Sequence, residues 1–201
     1  MLISCVKTGD KYDERYVLNL QSGILRHLNA AHEFVCFTDK EVDGVQCRQL
    51  PADLQGWWAK IGLFKLREPL VYFDLDVVIT GDLGLLLDWD GFGIIKDWWR
   101  PGFNSSVMKL TGDEGEVWDR FNPKDMARFY MGDQQYISYV MSKARTFPSK
   151  WFPSYKANEC QTGVPDVALA VVFHGEPKPH EIVHGWVPEL WNKTQKEIAN
   201  V

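Results

Sequence analysis

At 201 residues, with 45% hydrophobic and 24% charged positions, the chain has the composition of one soluble globular domain large enough for a substantial core. A formal net charge of -5 leaves no compensating basic face for a polyanion, which excludes nucleic acid as the main partner. No stretch approaches the length of a membrane span, and the first residues are too short and too weakly charged for a signal peptide, so a cytoplasmic location is expected.

Strands and helices alternate along the chain. Residues 2–7 read as an apolar first strand, and Thr8-Gly9-Asp10 turns out of it. Tyr16, Val17, Leu20, Ile24 and Leu25 then recur at helical spacing. Strands are expected over 34–38 and 45–50, a helix over 57–66, and a longer strand over 70–79. Further strands are expected over 92–96, 105–110 and 167–173, helices over 114–121 and 133–141, and a helical tail from Asn192. This order predicts a single α/β domain with a mostly parallel central sheet flanked by helices. Cys5, Cys36, Cys47 and Cys160 lack paired spacing and read as free thiols. Nine tryptophans, two pairs of them at Trp57-Trp58 and Trp98-Trp99, read first as core or interface filling and second as sugar platforms.

The expected strand over 70–79 is apolar except for Asp74 and Asp76. If the extended conformation persists through them, both carboxylates face one way at the carboxyl end of a strand, where open α/β sheets bind ligands. Two carboxylates in a dry place require a cation. Hard divalent ions take oxygen ligands and bridge to phosphates, so a metal-diphosphate site is the leading reading, with a structural salt-bridge pair as the bland one. A second copy, Asp88-Trp89-Asp90, runs into Gly91-Phe92-Gly93 and reads as a solvated turn.

Further polar clusters fall at expected element ends: Thr8 to Tyr12, Phe103-Asn104-Ser105-Ser106-Val107, Gly132-Asp133-Gln134, and His174-Gly175-Glu176-Pro177-Lys178-Pro179. With Asp74 and Asp76, this ordered set resembles the metal-dependent nucleotide-sugar glycosyltransferases of the GT-A fold, in particular the family 8 group related to glycogenin and bacterial galactosyltransferases. The resemblance implies transfer of a hexose from a nucleoside diphosphate sugar, a UDP-sugar, to a hydroxyl of a glycan, lipid-linked or protein acceptor, with retention. It places Mn2+ or Mg2+ on Asp74 and Asp76, the nucleoside on Thr8 and Tyr12, and donor oxygens on Lys60. Asn104 would face the donor sugar, with Ser106 where the family has glycine. Asp133 and Gln134 would lie beside the reacting carbon. In the family pattern H-x-x-G-x-x-K-P, Gly175 and Lys178 keep their spacing and Lys178 meets the diphosphate. Val172 takes the histidine position, which leaves His174, or His180, as third metal ligand. Each residue also has a plainer reading: Tyr12 as a packed surface ring, Lys60 as an exposed helix lysine, Asp133 as a helix N-cap, and His174 as a hydrogen-bonded structural histidine.

Residues 72–78 also resemble the first motif of haloacid dehalogenase-like phosphatases, with Asp74 as nucleophile and Asp76 as acid and base. That chemistry needs a later acidic pair, for which Gly112-Asp113-Glu114 is a poor match. A catalytically inactive sugar- or nucleotide-binding protein is the third reading.

Overall fold

The computed structural model describes residues 1–192; the tail expected beyond Asn192 lies outside the described residues. The chain runs β1 (Leu2–Lys7), α1 (Glu14–His27), β2 (Glu33–Thr38), β3 (Cys47–Gln49), a 3-10 helix (Gly56–Gly62), α2 (Leu63–Leu66), β4 (Leu70–Phe73) and β5 (Val77–Ile79). It continues through α3 (Gly84–Leu87), β6 (Gly93–Lys96), β7 (Phe103–Leu110), α4 (Glu116–Asp119), a 3-10 helix (Pro123–Arg128) and α5 (Asp133–Val140). β8 (Ala170–Val172), a 3-10 turn (Pro179–Glu181) and α6 (Trp186–Trp191) complete it.

Six strands form the central sheet in the order β3-β2-β1-β4-β7-β6. The first four are mutually parallel, and β7 runs antiparallel to both β4 and β6. Strand alternation sends Val71 and Phe73 of β4 into one core, beneath α1 and α6, and Leu70 and Tyr72 into the other, beneath the first 3-10 helix and α5. Both faces are therefore covered, as a parallel sheet requires. Cys5, Cys36, Cys47 and Cys160 are free thiols. No helix among the described residues is long and apolar enough to cross a membrane.

Two local expectations are corrected by the structure. The strand expected over 70–79 breaks after Phe73: Asp74-Leu75-Asp76 form a turn, and β5 pairs antiparallel with β8 in a separate two-stranded sheet. Main-chain bonds enforce the break, because Asp74 N–H donates to Ser106 O (2.8 Å), Val77 N–H to Asp74 O (3.3 Å), and Phe173 N–H to Asp76 O (3.1 Å). The helix expected over 57–66 is α-helical only over Leu63–Leu66. In the preceding 3-10 helix, residues three apart eclipse, which directs Trp58 and Ile61 into the core and Trp57 and Lys60 toward a cavity.

Candidate active site

A cavity of about 600 Å3 opens at the carboxyl ends of β1 and β4. Thr8 and Tyr12 enter it from the segment after β1, Lys60 from the first 3-10 helix, and Asp74 and Asp76 from the turn after β4. Asn104 comes from β7, Asp133 and Gln134 from the first turn of α5, and His174, Gly175 and Lys178 from the segment after β8. All eleven of these side chains or backbones, singled out in the sequence, line this one space.

Each carboxylate of the Asp74/Asp76 pair has its own lysine. Lys60, only 7% exposed, donates from Nζ to Asp74 Oδ1 (2.7 Å) and Ser105 Oγ (3.3 Å), and lies 3.5 Å from Asp133 Oδ2. Ser105 Oγ donates to Asp133 Oδ2 (2.5 Å), and Tyr72 Oη donates to Asp74 Oδ1 (2.5 Å). Burial pushes the Asp74 carboxyl up, but the Lys60 ammonium and hydrogen bonds from Tyr72 and Ser106 outweigh it and hold Asp74 below the ordinary range. Burial raises the Asp133 carboxyl, and Lys60 and Ser105 only partly oppose that rise. Burial opposes the Lys60 charge, yet Asp133 and Asp74 together lift its pKa above normal, so it stays an ammonium. Lys60 is thus not an exposed helix lysine. Nor does Asp133 cap its helix, because Gly132 occupies that position.

The second pair is Lys178 with Asp76. Lys178 Nζ donates to Asp76 Oδ2 (2.5 Å) and Phe173 O (3.1 Å), and Tyr12 Oη donates to the same Asp76 oxygen (2.8 Å). Burial and the Asp76 charge raise the Tyr12 phenol, which therefore remains a donor. Thr8 Oγ1 accepts from Gly56 N–H (3.0 Å), tying the segment after β1 to the 3-10 helix. Asn104 Nδ2 donates to Gln134 Oε1 (3.4 Å), and Asn104 Oδ1 accepts from Ser106 N–H (3.0 Å).

His174 has its own set of partners. Ser154 Oγ accepts from the N–H groups of Lys156 (3.2 Å) and Ala157 (3.0 Å), so its own proton points to His174 Nε2 (2.7 Å). Trp98 stacks on the imidazole at 4.8 Å, and Trp99 meets it edge-on at 4.6 Å. Among the described residues, no three His, Cys, Asp or Glu side chains converge to hold a metal ion. Of the two histidines expected as third ligand beside Asp74 and Asp76, His174 lines the cavity, and His180 pairs through Nδ1 with the Tyr16 hydroxyl. Burial first, with the Lys156 charge behind it, lowers the His174 pKa to about 4. A histidine neutral when folded but protonatable when unfolded leaves stability intact above its unfolded pKa near 6.5 and erodes it as pH falls toward 4. His174→Asn is therefore expected to flatten the fall in the urea midpoint between pH 6.5 and 4; a slope equal to that of the parent chain would contradict this.

The sequence did not flag Tyr72, Ser105 or Ser154 as site residues. Tyr72 lies two positions before Asp74, a detectable spacing, whereas no local pattern connects Ser154 with His174. Gly132, at φ +78°, sits so close under Trp57 that an added Cβ would lie 2.5 Å from the indole Cε3. Gly132→Ala is expected to cost about 1–3 kcal/mol by urea unfolding and to displace the first turn of α5; a loss under about 0.5 kcal/mol would contradict it.

The phosphatase arrangement does not form. Glu114 is absorbed by Thr111 Oγ1 (2.7 Å) and by the N–H groups of Thr111 and Gly112, and neither it nor Asp113 lines the cavity.

No family model matches the chain, and no curated protein matches it in sequence. Solved structures do match in fold. The glycosyltransferase GlyE of Streptococcus pneumoniae TIGR4 superposes with a TM-score of 0.74 at 15% identity, over 94% of this chain and 59% of that one. The galactosyltransferase LgtC, crystallised with donor and acceptor sugar analogs, gives 0.71 at 15% identity, over 97% of this chain and 96% of that one. The bifunctional glycosyltransferase WbbM gives 0.68 at 15% identity, over 98% of this chain and 50% of that one. The chain thus spans nearly the full length of LgtC but little more than half of GlyE. Its fold is the GT-A glycosyltransferase fold.

Proposed function

We propose that the protein is a glycosyltransferase that moves a hexose from a UDP-sugar to a hydroxyl acceptor, with Mn2+ or Mg2+ and with retention at the anomeric carbon. The observation carrying this reading is the convergence of Asp74, Asp76, Lys60, Lys178 and Asp133 on one cavity, within a fold shared with an enzyme crystallised with donor and acceptor sugar analogs. Retention rests on the sequence resemblance to the family 8 group.

The donor set fits a hard divalent ion. Asp74 and Asp76 offer carboxylate oxygens only, which suits Mn2+ or Mg2+ completing its shell with diphosphate oxygens and water. Asp74 and Asp76 would hold it, with His174 on the same cavity wall as the candidate third ligand. When bound, the ion would neutralise charge developing on the departing nucleoside diphosphate.

The chain's own groups have separable tasks. Lys178, anchored on Phe173 O, offers a fixed ammonium beside Asp76 for a diphosphate oxygen. Lys60 keeps Asp74 ionised and ready as a ligand. Tyr12 and Thr8 border the nucleoside end, and Asn104, Asp133 and Gln134 offer donors and acceptors to sugar hydroxyls. The raised Asp133 carboxyl, tethered by Ser105 and Lys60, suits a sugar-binding group; under inversion it would instead be the general base.

Incubation with a panel of UDP-hexoses should release UDP only with the divalent ion present, and faster with an acceptor. Metal-independent release, or none with any donor, would sink the reading. NMR of the product's anomeric proton tests retention separately: a β-linked product from an α-linked donor would reject it.

A further inference from the structure

We propose that Cys47 and Cys36 form a peroxide-sensitive redox site, in which oxidation links the two thiols as a disulfide between β3 and β2 and weakens nucleoside binding. Cys5, Cys36 and Cys47 lie on three neighbouring strands, and the register makes Cys36 the direct partner of both others. Partners in parallel strands share a face of the sheet, so the three thiols form one row against the core beneath α1. Burial pushes the Cys5 thiol well above its ordinary pKa, and a hydrogen bond with Cys36 and the nearness of Cys36 and Cys47 push it further. Cys5 and Cys36 are fully buried, whereas Cys47 is half-buried on the edge strand, where Val42 N–H is aimed at its sulfur (3.4 Å). The row thus has one end open to a small oxidant.

The spacing selects a disulfide over a metal. Neighbouring strands lie about 4.8 Å apart, inside the window of roughly 4.4–6.8 Å that a disulfide allows between Cα atoms. Cys5 and Cys47 are two such spacings apart, about 10 Å, too far to share one ion with Cys36 through thiolate–metal bonds of about 2.3 Å. A hydroperoxide is the oxidant. The Cys47 thiolate attacks its O–O bond, giving a Cys47 sulfenic acid and hydroxide; the Cys36 thiol then attacks that sulfur, and its proton leaves with the hydroxyl as water. In sum two thiols pass two electrons to one peroxide, which ends as two waters. The bridge needs Cβ atoms about 3.8 Å apart, closer than paired strands hold them, so it is readily reduced again. The same pull reaches the cavity: β2 ends at Thr38, and the next residue, Asp39, accepts through Oδ2 from Gly9 N–H (3.1 Å) in the segment that carries Thr8 and Tyr12. Only this last link rests on the transferase reading above.

Trypsin separates the thiols, because cleavage after Lys7, Lys40 and Arg48 puts Cys5, Cys36, Cys47 and Cys160 in different peptides. The full chain is treated with hydrogen peroxide, capped with N-ethylmaleimide in guanidinium and mapped by mass spectrometry. A Cys36–Cys47 linkage is expected, reversed by dithiothreitol, with Cys5 and Cys160 still capped as thiols. Cys36→Ala should stop at a Cys47 sulfenic acid that dimedone traps. Cys47→Ser, a change at a half-buried position, should leave Cys36 reduced. Oxidation first at Cys160, a Cys5–Cys36 linkage, or Cys47 passing to sulfonic acid with Cys36 still free would overturn the proposal. Calorimetry then reads UDP binding with Mn2+. Oxidation should lower the affinity of the parent several-fold, dithiothreitol should restore it, and Cys47→Ser should show no change. Unaltered affinity in the linked protein would overturn the coupling to the nucleoside. A reduced parent that never binds UDP is a distinct result: the transferase reading and the nucleoside link fall together, while the peptide map still decides the disulfide.

Discussion

Asp76→Asn is expected to lower hexose transfer by about a hundredfold or more, because it removes one of two carboxylates available to a divalent ion and so the electrostatic stabilisation of the leaving diphosphate. The substitution keeps an oxygen for Lys178 Nζ and for the Tyr12 hydroxyl, the two groups that hold Asp76 now, so folding should survive. Saturation of the rate with Mn2+ separates an ion effect from a positioning effect. The account requires that excess Mn2+ not restore the parent rate; full restoration would mean that Asp76 sets only affinity for the ion. A variant as active as the parent without excess metal would remove Asp76 from the mechanism.

The largest expected change in stability comes from Lys60→Met. Lys60 is the cation facing both Asp74 and Asp133, and Asp133 is only 4% exposed. Removing one partner of a buried ionic cluster leaves uncompensated charge, at a cost of about 3–5 kcal/mol. For a chain of this size, that corresponds to a fall of roughly 6–20 °C in the unfolding midpoint. The pH dependence has a definite sign. The lowered Asp74 pKa contributes stability that is present above the unfolded value of 3.8 and lost as pH falls through the folded value. Asp133 has a raised folded pKa, so its ionisation opposes folding at neutral pH, and protonation relieves that opposition as pH falls. Without Lys60 both carboxyls protonate more readily. The deficit of Lys60→Met relative to the parent should therefore be largest near neutral pH and shrink on acidification. Urea unfolding across that range checks it; a deficit under about 1 kcal/mol, constant with pH, would contradict the cluster's role.

The arrangement also defines how far the sequence could be read. β1 was legible to the residue because a mostly apolar run, broken by Ser4 and Lys7, ended at Thr8-Gly9-Asp10, an unambiguous turn. The Asp74/Asp76 motif was equally visible, but the break between β4 and β5 was not. Leu75, Val77 and Val78 are buried whether the chain continues straight or turns, so hydrophobicity carries no information about direction there. Residues 57–66 scanned as helical, and the pattern could not distinguish a 3-10 register from an α register, although that register is what aims Lys60 and Trp57 at the cavity. Lys60, Asp133 and Lys178 were flagged by a family likeness; their burial and mutual pairing depend on long-range packing that no local spacing encodes. The partners of His174, Ser154 and Trp98, come from distant segments, so no local pattern pointed to them. Ser106, counted as a departure from glycine, instead helps hold Asp74 through a hydrogen bond.

The most direct measurement is thermal unfolding with each nucleoside diphosphate, with and without Mn2+, on the parent and on Asp76→Ala. A ligand at about a hundred times its dissociation constant adds roughly 2.7 kcal/mol, which should raise the midpoint by several degrees. The account predicts a Mn2+-dependent rise with UDP that disappears in Asp76→Ala. No rise with any nucleoside diphosphate, or a rise that Asp76→Ala retains in full, would contradict it.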